Sequence, residues 1–174
     1  LKEFKRHHCV KLVEDEPDQL LVHTFNQSKT VRCVLFLHGN ATDILSVVPL
    51  AAKISAALHC DVIVPEYPGY SVRNSEAPSE HGIYRAAENA YRFITDEWGS
   101  APVVMGQSLG SGPAVHLACM FSIPHLVLVS GFTSVQSVLD NAVGSLATLL
   151  PSTGMFNNLA KIDRVRCPVL AFHG

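Results

Sequence analysis

The sequence predicts an α/β fold, a mostly parallel sheet flanked by helices. Two features carry this expectation. Short runs rich in Val, Leu and Ile recur without polar alternation, the pattern of strands buried on both faces. Between them lie longer stretches with apolar residues at helical spacing, so strand and helix alternate as parallel crossovers require. At 174 residues, one domain with a substantial core is expected.

The elements follow in order. "VRCVLFLHG", Val31 to Gly39, is β-branched, apolar and closed by glycine, which predicts a buried strand. "ILSVVPLAAKISAALH", Ile44 to His59, carries apolar residues around most of a helical circumference, with Thr42 or Asp43 available as N-cap. "CDVIVPEYPGY" holds a second short strand, Val62 to Val64, running into a Pro/Gly turn. In "SEHGIYRAAENAYRFITDEWG", Ile83, Ala87, Ala90, Tyr91 and Ile94 share a helical face, and Gly99 supplies the stop. "APVVMGQS" is the third strand, with its apolar part ending at Met105, and "LGSGPAVHLACMF" the helix after it. "HLVLVSG" is a fourth strand, "SVQSVLDNAVGSLATLL" a helix and "CPVLAFHG" a fifth strand. The most polar stretch, "SVRNSEAPSEHG", predicts an exposed loop. In such sheets chemistry gathers where strands end and loops begin.

Composition narrows the function classes. With 48% hydrophobic and 16% charged residues and a net charge of -2, the chain has no basic stripe for a nucleic-acid partner. Its most apolar long segment, Ile44 to Leu58, is interrupted by Ser46, Pro49, Lys53 and Ser55, so no bilayer span is expected. Cys9, Cys33, Cys60, Cys119 and Cys167 are odd in number, widely spaced and without a C-x-x-C pair, which predicts neither a disulfide framework nor a metal site. A reducing, cytoplasmic setting fits that usage. "LKEFKRHHCVKLVEDE" has a basic start but no apolar core, so it is not a signal peptide. A chain that starts without Met and ends on "AFHG" is expected to be cut from something longer.

Chemistry is expected at one serine. Gly106-Gln107-Ser108-Leu109-Gly110 matches G-x-S-x-G, the strand-to-helix elbow that exposes a serine hydroxyl between residues small enough to avoid collision. The plain alternative is a serine capping a helix after a buried strand. An acyl-transfer serine also needs donors aimed at the developing oxyanion, and the residue after it, Leu109, offers one backbone N–H at a helix start. The second donor should come from the loop after an earlier strand, here "LHGNA", with the Asn40 N–H first and Ala41 next. Taken alone, "HGN" could be a simple tight turn.

Together, "LFLHGNATD", "VPEYPGYS" and "MGQSLGSGPA" resemble the α/β-hydrolase superfamily, in particular its serine-aminopeptidase-like members and the domain proteins that remove palmitate from protein cysteines. The resemblance runs from about Val31 to Gly174. It implies that Ser108 is the nucleophile, that Asn40 with Leu109 forms the oxyanion hole, and that Gly39, Gln107 and the Tyr67 to Tyr70 turn shape the site. It further implies a single incomplete domain over 1–174, stopping after the family's seventh strand, with a lid-like segment at about 131–162. Within that segment Val135, Val138, Leu139, Leu146, Leu149 and Leu150 either line an acyl groove or form one core-facing helix.

The family's triad order is Ser, then Asp or Glu, then His. The expected "HG" before the acid is His173-Gly174, so the acid and base are expected beyond Gly174, and the chain by itself should be nearly inactive. The residues present are poor substitutes. His116 lies on the same helix as Ser108, about 12 Å along its axis. His38 should be held in the strand end and His173 in a turn, while His125 should begin a strand at the opposite edge of the sheet. Asp140 falls on a solvated helix face, Asp163 lies at the wrong end of the sheet, and Ser111 and Ser130 are structural.

The expected activity is ester or thioester hydrolysis, possible substrates being acylated small molecules or proteins, with no metal or organic cofactor and with peripheral membrane contact as one option. Palmitoyl-thioester hydrolysis is implied by the resemblance alone. A carboxylesterase, a peptidase and a non-catalytic binding protein of the same fold are the alternatives.

Overall fold

The computed structural model describes residues 8–13, 16–24, 33–40, 42–70, 77–138 and 154–173, the first two segments by backbone only. Seven strands form one sheet: β1 (His8–Val13), β2 (Glu16–Thr24), β3 (Cys33–Leu37), β4 (Asp61–Pro65), β5 (Val103–Gln107), β6 (Leu126–Val129) and β7 (Val169–Phe172). Their order is β1-β2-β4-β3-β5-β6-β7. From β4 to β7 all neighbours are parallel, whereas β1 with β2 and β2 with β4 are antiparallel.

Among the described residues, α1 (Ile44–Leu58), α2 (Glu80–Trp98) and α3 (Ser111–Met120) connect β3 to β4, β4 to β5 and β5 to β6. The alternation of β3 explains why its sequence has no polar face. Cys33, Leu35 and Leu37 point into a core built with α2 and α3, while Val34 and Phe36 point into a second core under α1. Burying each such leucine or phenylalanine contributes about 2 kcal/mol relative to leaving it exposed. The sheet is therefore held from both sides where β3, β4 and β5 lie.

The helix limits follow from local chemistry. Asp43, not Thr42, is the N-cap of α1, its carboxylate accepting the Ser46 N–H at 2.7 Å. Ser79 caps α2 by accepting the Gly82 N–H at 3.0 Å, and Gly99, at φ +64°, ends it in the left-handed region as expected.

Several expectations are corrected. β5 lies within the expected "APVVMGQS", but α3 starts at Ser111 and not at Leu109, because Ser108–Gly110 forms a tight 3-10 turn before it. The antiparallel pair β1 and β2 precedes Val31, where the elements expected from the sequence begin, and is not among them. His125 does not lie at the opposite edge of the sheet: it precedes β6, the strand beside β5, and its carbonyl accepts the Val104 N–H at 3.1 Å. Residues 135–138 are helical. Leu139, Asp140, Leu146, Leu149 and Leu150, like Ala41, Val31, the 71–76 loop and Gly174, lie outside the described residues.

Candidate active site

Gln107 ends β5 in register with Val129 of β6, and the chain turns immediately into Ser108. Ser108 is exposed and adopts φ 49°, a left-handed conformation that costs an L-residue on the order of 1 to 2 kcal/mol. The turn is tight enough to demand glycine on both sides. A Cβ on Gly110 would collide with the carbonyl of Leu37, and one on Gly106 would overlap the Gly110 carbonyl and lie 2.7 Å from Ala114 Cβ. The G-x-S-x-G spacing thus lets the start of α3 press against β3 and β5 while the serine projects outward.

The same contacts bring the β3–α1 loop to the serine. A Cβ on Gly39 would stand 3.5 Å from Ser108 Cβ, so the loop carrying Asn40 is in van der Waals range of the Ser108 turn. Asn40 is exposed; its Oδ1 accepts the Tyr70 hydroxyl at 2.8 Å and its carbonyl accepts Thr42 Oγ1 at 3.1 Å. Leu109 is half-buried and follows Ser108 directly in the 3-10 turn. An open cavity of about 550 Å³ adjoins the loop, between Asn40, Thr42, Asp43 and Ser46 on one side and Gly69, Tyr70 and Pro78 on the other.

Under the loop lies a buried polar group. His38 is fully buried, its Nδ1 3.0 Å from the Gly39 carbonyl, and Tyr67, also fully buried, donates its hydroxyl to the His38 carbonyl at 3.2 Å. The two rings stack at 4.1 Å. Tyr67 therefore lies beneath the loop and is not among the residues that line the cavity. Glu66, 3% exposed, accepts the Ile44 N–H on Oε2 at 3.1 Å and the Tyr67 N–H on Oε1 at 3.2 Å. Burial pushes the Glu66 carboxyl above the ordinary carboxylate range and His38 below its usual 6.5. Glu66 escapes a motif search, although an acid closing the apolar run "DVIVPE" is a signal that a buried carboxylate has N–H partners.

The other histidines and acids stand elsewhere. His116 is on α3 with Nε2 2.7 Å from Glu88 Oε1 of α2 and its ring stacked at 4.0 Å on Tyr84. His125 is exposed at the N-terminal end of β6, the far end of the sheet from Ser108. His173 is exposed after β7, and Asp163 sits in the 3-10 turn Ile162–Arg164 that precedes that strand. Ser111 is buried and accepts Asn158 Nδ2 at 3.3 Å, a structural role. Ser130, at φ 49°, donates its N–H to the Phe172 carbonyl at 2.8 Å. Cys33, Cys60, Cys119 and Cys167 are free thiols. Among the described residues no cluster of three His, Cys, Asp or Glu is arranged to hold a metal, and no helix is long and apolar enough to cross a membrane.

Comparison with known proteins identifies the family. A model of the alpha/beta hydrolase family matches residues 34–171. Alpha/beta hydrolase domain-containing protein 17C of Xenopus tropicalis is 30% identical over 150 residues, which cover 81% of this chain and 45% of that protein. The aho-3 protein of Caenorhabditis elegans, also an alpha/beta hydrolase domain-containing protein, is 31% identical over 144 residues, covering 81% and 42%. The chain spans about half the length of the curated relatives it matches. In fold alone, it resembles the crystal structure of an alpha-beta hydrolase from Vibrio vulnificus, with a TM-score of 0.70 at 19% identity over 96% of this chain and 63% of that one.

Proposed function

The chain belongs to the α/β-hydrolase family, and from that premise we propose that it forms part of a serine hydrolase that cleaves an ester or thioester through an acyl-enzyme on Ser108. The observation that carries the proposal is the exposed Ser108 at φ 49°, held at the end of a central strand with the Gly39 loop against it. A strained, outward-facing serine is costly to maintain, and strain of this kind collects at functional sites.

In this reading Ser108 Oγ attacks the acyl carbon while a general base takes its proton. The N–H groups of Leu109 and Asn40 hold the negative charge that develops on the acyl oxygen. The bond to the leaving sulfur or oxygen then breaks, the leaving group takes up the proton, and water hydrolyses the acyl-serine to a carboxylic acid and free Ser108. His38 and His116 are engaged with Gly39 and Glu88, so the proposal places the base and its acid partner outside residues 1–174.

The finer substrate assignment is a palmitoyl thioester on protein cysteine, supported by the resemblance of "LFLHGNATD", "VPEYPGYS" and "MGQSLGSGPA" to proteins with that activity. Such substrates sit at membranes, and peripheral contact with a membrane from the cytoplasmic side belongs to the same proposal. The test is labelling of the natural full-length polypeptide with a fluorophosphonate probe, alongside Ser108→Ala. Labelling that vanishes in the variant is the expected result, and palmitoyl-thioester turnover is then measured directly. A folded protein that takes up no probe would instead favour a binding role for the fold.

A further inference from the structure

We infer that His38 and Glu66 hold a single proton between them and so keep the floor of the oxyanion loop electrically neutral, which makes Glu66 a positioning residue for the reaction. The inference rests on the proposed role of Asn40 in holding the oxyanion. Its starting point is an orphan: His38 Nε2 is buried and has no hydrogen-bond partner, while Glu66 Oε1 stands 3.7 Å away.

The shortest ring contact favours one tautomer. His38 Nδ1 faces the Gly39 carbonyl at 3.0 Å, which favours a proton on that nitrogen, and the Pro65 carbonyl also favours a proton on the ring, less strongly. In a neutral ring Nε2 is then an acceptor. Glu66 Oε1 and Oε2 already act as acceptors, for Tyr67 N–H and Ile44 N–H. With no further proton, two acceptors confront each other in a buried site against the stacked Tyr67 ring. With two further protons, two donors do. One proton, donated from Glu66 to Nε2 as the pair draws together, satisfies both groups.

Burial favours the uncharged form of each group, raising Glu66 against the opposing pull of the Ile44 and Tyr67 N–H bonds and lowering His38. The proton belongs to the pair, and its apparent pKa does too. Losing it leaves one net negative charge beneath the Gly39–Asn40 peptide, where it opposes an oxyanion held by the Asn40 N–H. The neighbouring titratable groups among the described residues do not change charge alongside it. Asp43, at the start of α1, is held below its usual value by the Ser46 hydrogen bonds, and Tyr67 and Tyr70, from the β4 turn, are raised above theirs by burial.

The experiment is the pH profile of kcat/KM for ester hydrolysis by the full-length polypeptide and by Glu66→Gln, with ¹⁵N NMR of His38 in the unaltered protein. The expected profile falls in one step on the alkaline side, by roughly tenfold for a unit charge near the oxyanion. In the Gln variant, whose side chain cannot ionise, that step is absent. His38 stays protonated on Nδ1 throughout, and its Nε2 signal moves in the same step. A profile without the step, a step that persists in Glu66→Gln, or an Nε2 signal that shows a bare acceptor at every pH would overturn the inference. If Glu66→Gln fails to fold, the His38 signal of the unaltered protein decides. Absence of fluorophosphonate labelling together with an alkaline step in the His38 Nε2 signal would sink the proposed hydrolase and leave the shared proton standing.

Discussion

Ser108 and Gly110 show how a single backbone angle or a single missing methylene determines what a position tolerates. Because Ser108 sits at φ 49°, glycine is the one residue that would relieve it without a side-chain penalty. Ser108→Gly is therefore expected to be about 1 kcal/mol more stable than Ser108→Ala in urea denaturation, with labelling lost in both. Gly110→Ala drives a methyl group into the Leu37 carbonyl, and the expected loss is about 3 kcal/mol in the same measurement, since backbone on both sides prevents relaxation. His38 sets a pH limit on stability. Its folded-state value lies below the usual 6.5, so as pH falls through that value the unfolded imidazole gains a proton that the buried ring refuses. Stability is therefore complete above that point and declines below it, and replacing His38 with Asn should flatten the acidic side of a denaturation series, whatever its cost near neutrality.

At the scale of elements, residues 154–165 matter because they bind the connection between β6 and β7 to the two helices behind Ser108. Phe156 is buried against Gly112 of α3, with its ring edge-on to Tyr84 of α2 at 5.4 Å. Its N–H donates to Glu80 Oε1 at 3.0 Å, and the same oxygen accepts the Tyr84 hydroxyl at 2.6 Å. Lys161 Nζ donates to Tyr84 Oη at 2.7 Å and lies 3.6 Å from Glu80 Oε1. The apolar contact outweighs the ionic one. Removing a buried phenylalanine costs about 3 to 5 kcal/mol, whereas a partly exposed ion pair is worth about 1 kcal/mol or less. Thermal denaturation should therefore show a large drop for Phe156→Ala and a small one for Lys161→Met. A reversed order would mean that the polar cluster, and not the ring, fastens this segment.

For the molecule as a whole, the sheet is unevenly covered. β3 is buried along its entire length, but Val169, Leu170 and Phe172 of β7 are about half exposed, and among the described residues β7 is an edge strand of the sheet. An uncovered strand of this composition pairs readily with another chain. The 174-residue chain is expected to self-associate at micromolar concentration in light scattering, and Leu170→Lys to reduce that association without altering the Ser108 turn.

Much of this was legible in one dimension. Apolar runs without alternation determined the five parallel strands, because a strand buried on both faces leaves no position for a polar residue, and G-x-S-x-G marked Ser108 because only glycine fits the approach of α3 to β3. Asp43, Ser79 and Gly99 likewise act through neighbours in the chain, so their capping roles were local matters. What the tertiary structure alone decided depends on partners far apart in sequence. The β1–β2 hairpin gains its place by pairing with β4, Phe156 by packing on Gly112, and Glu66 by receiving an N–H from Ile44 and facing the imidazole that follows β3. A buried carboxylate is tolerable only where folding supplies its hydrogen bonds, and no spacing in the sequence records which groups will arrive.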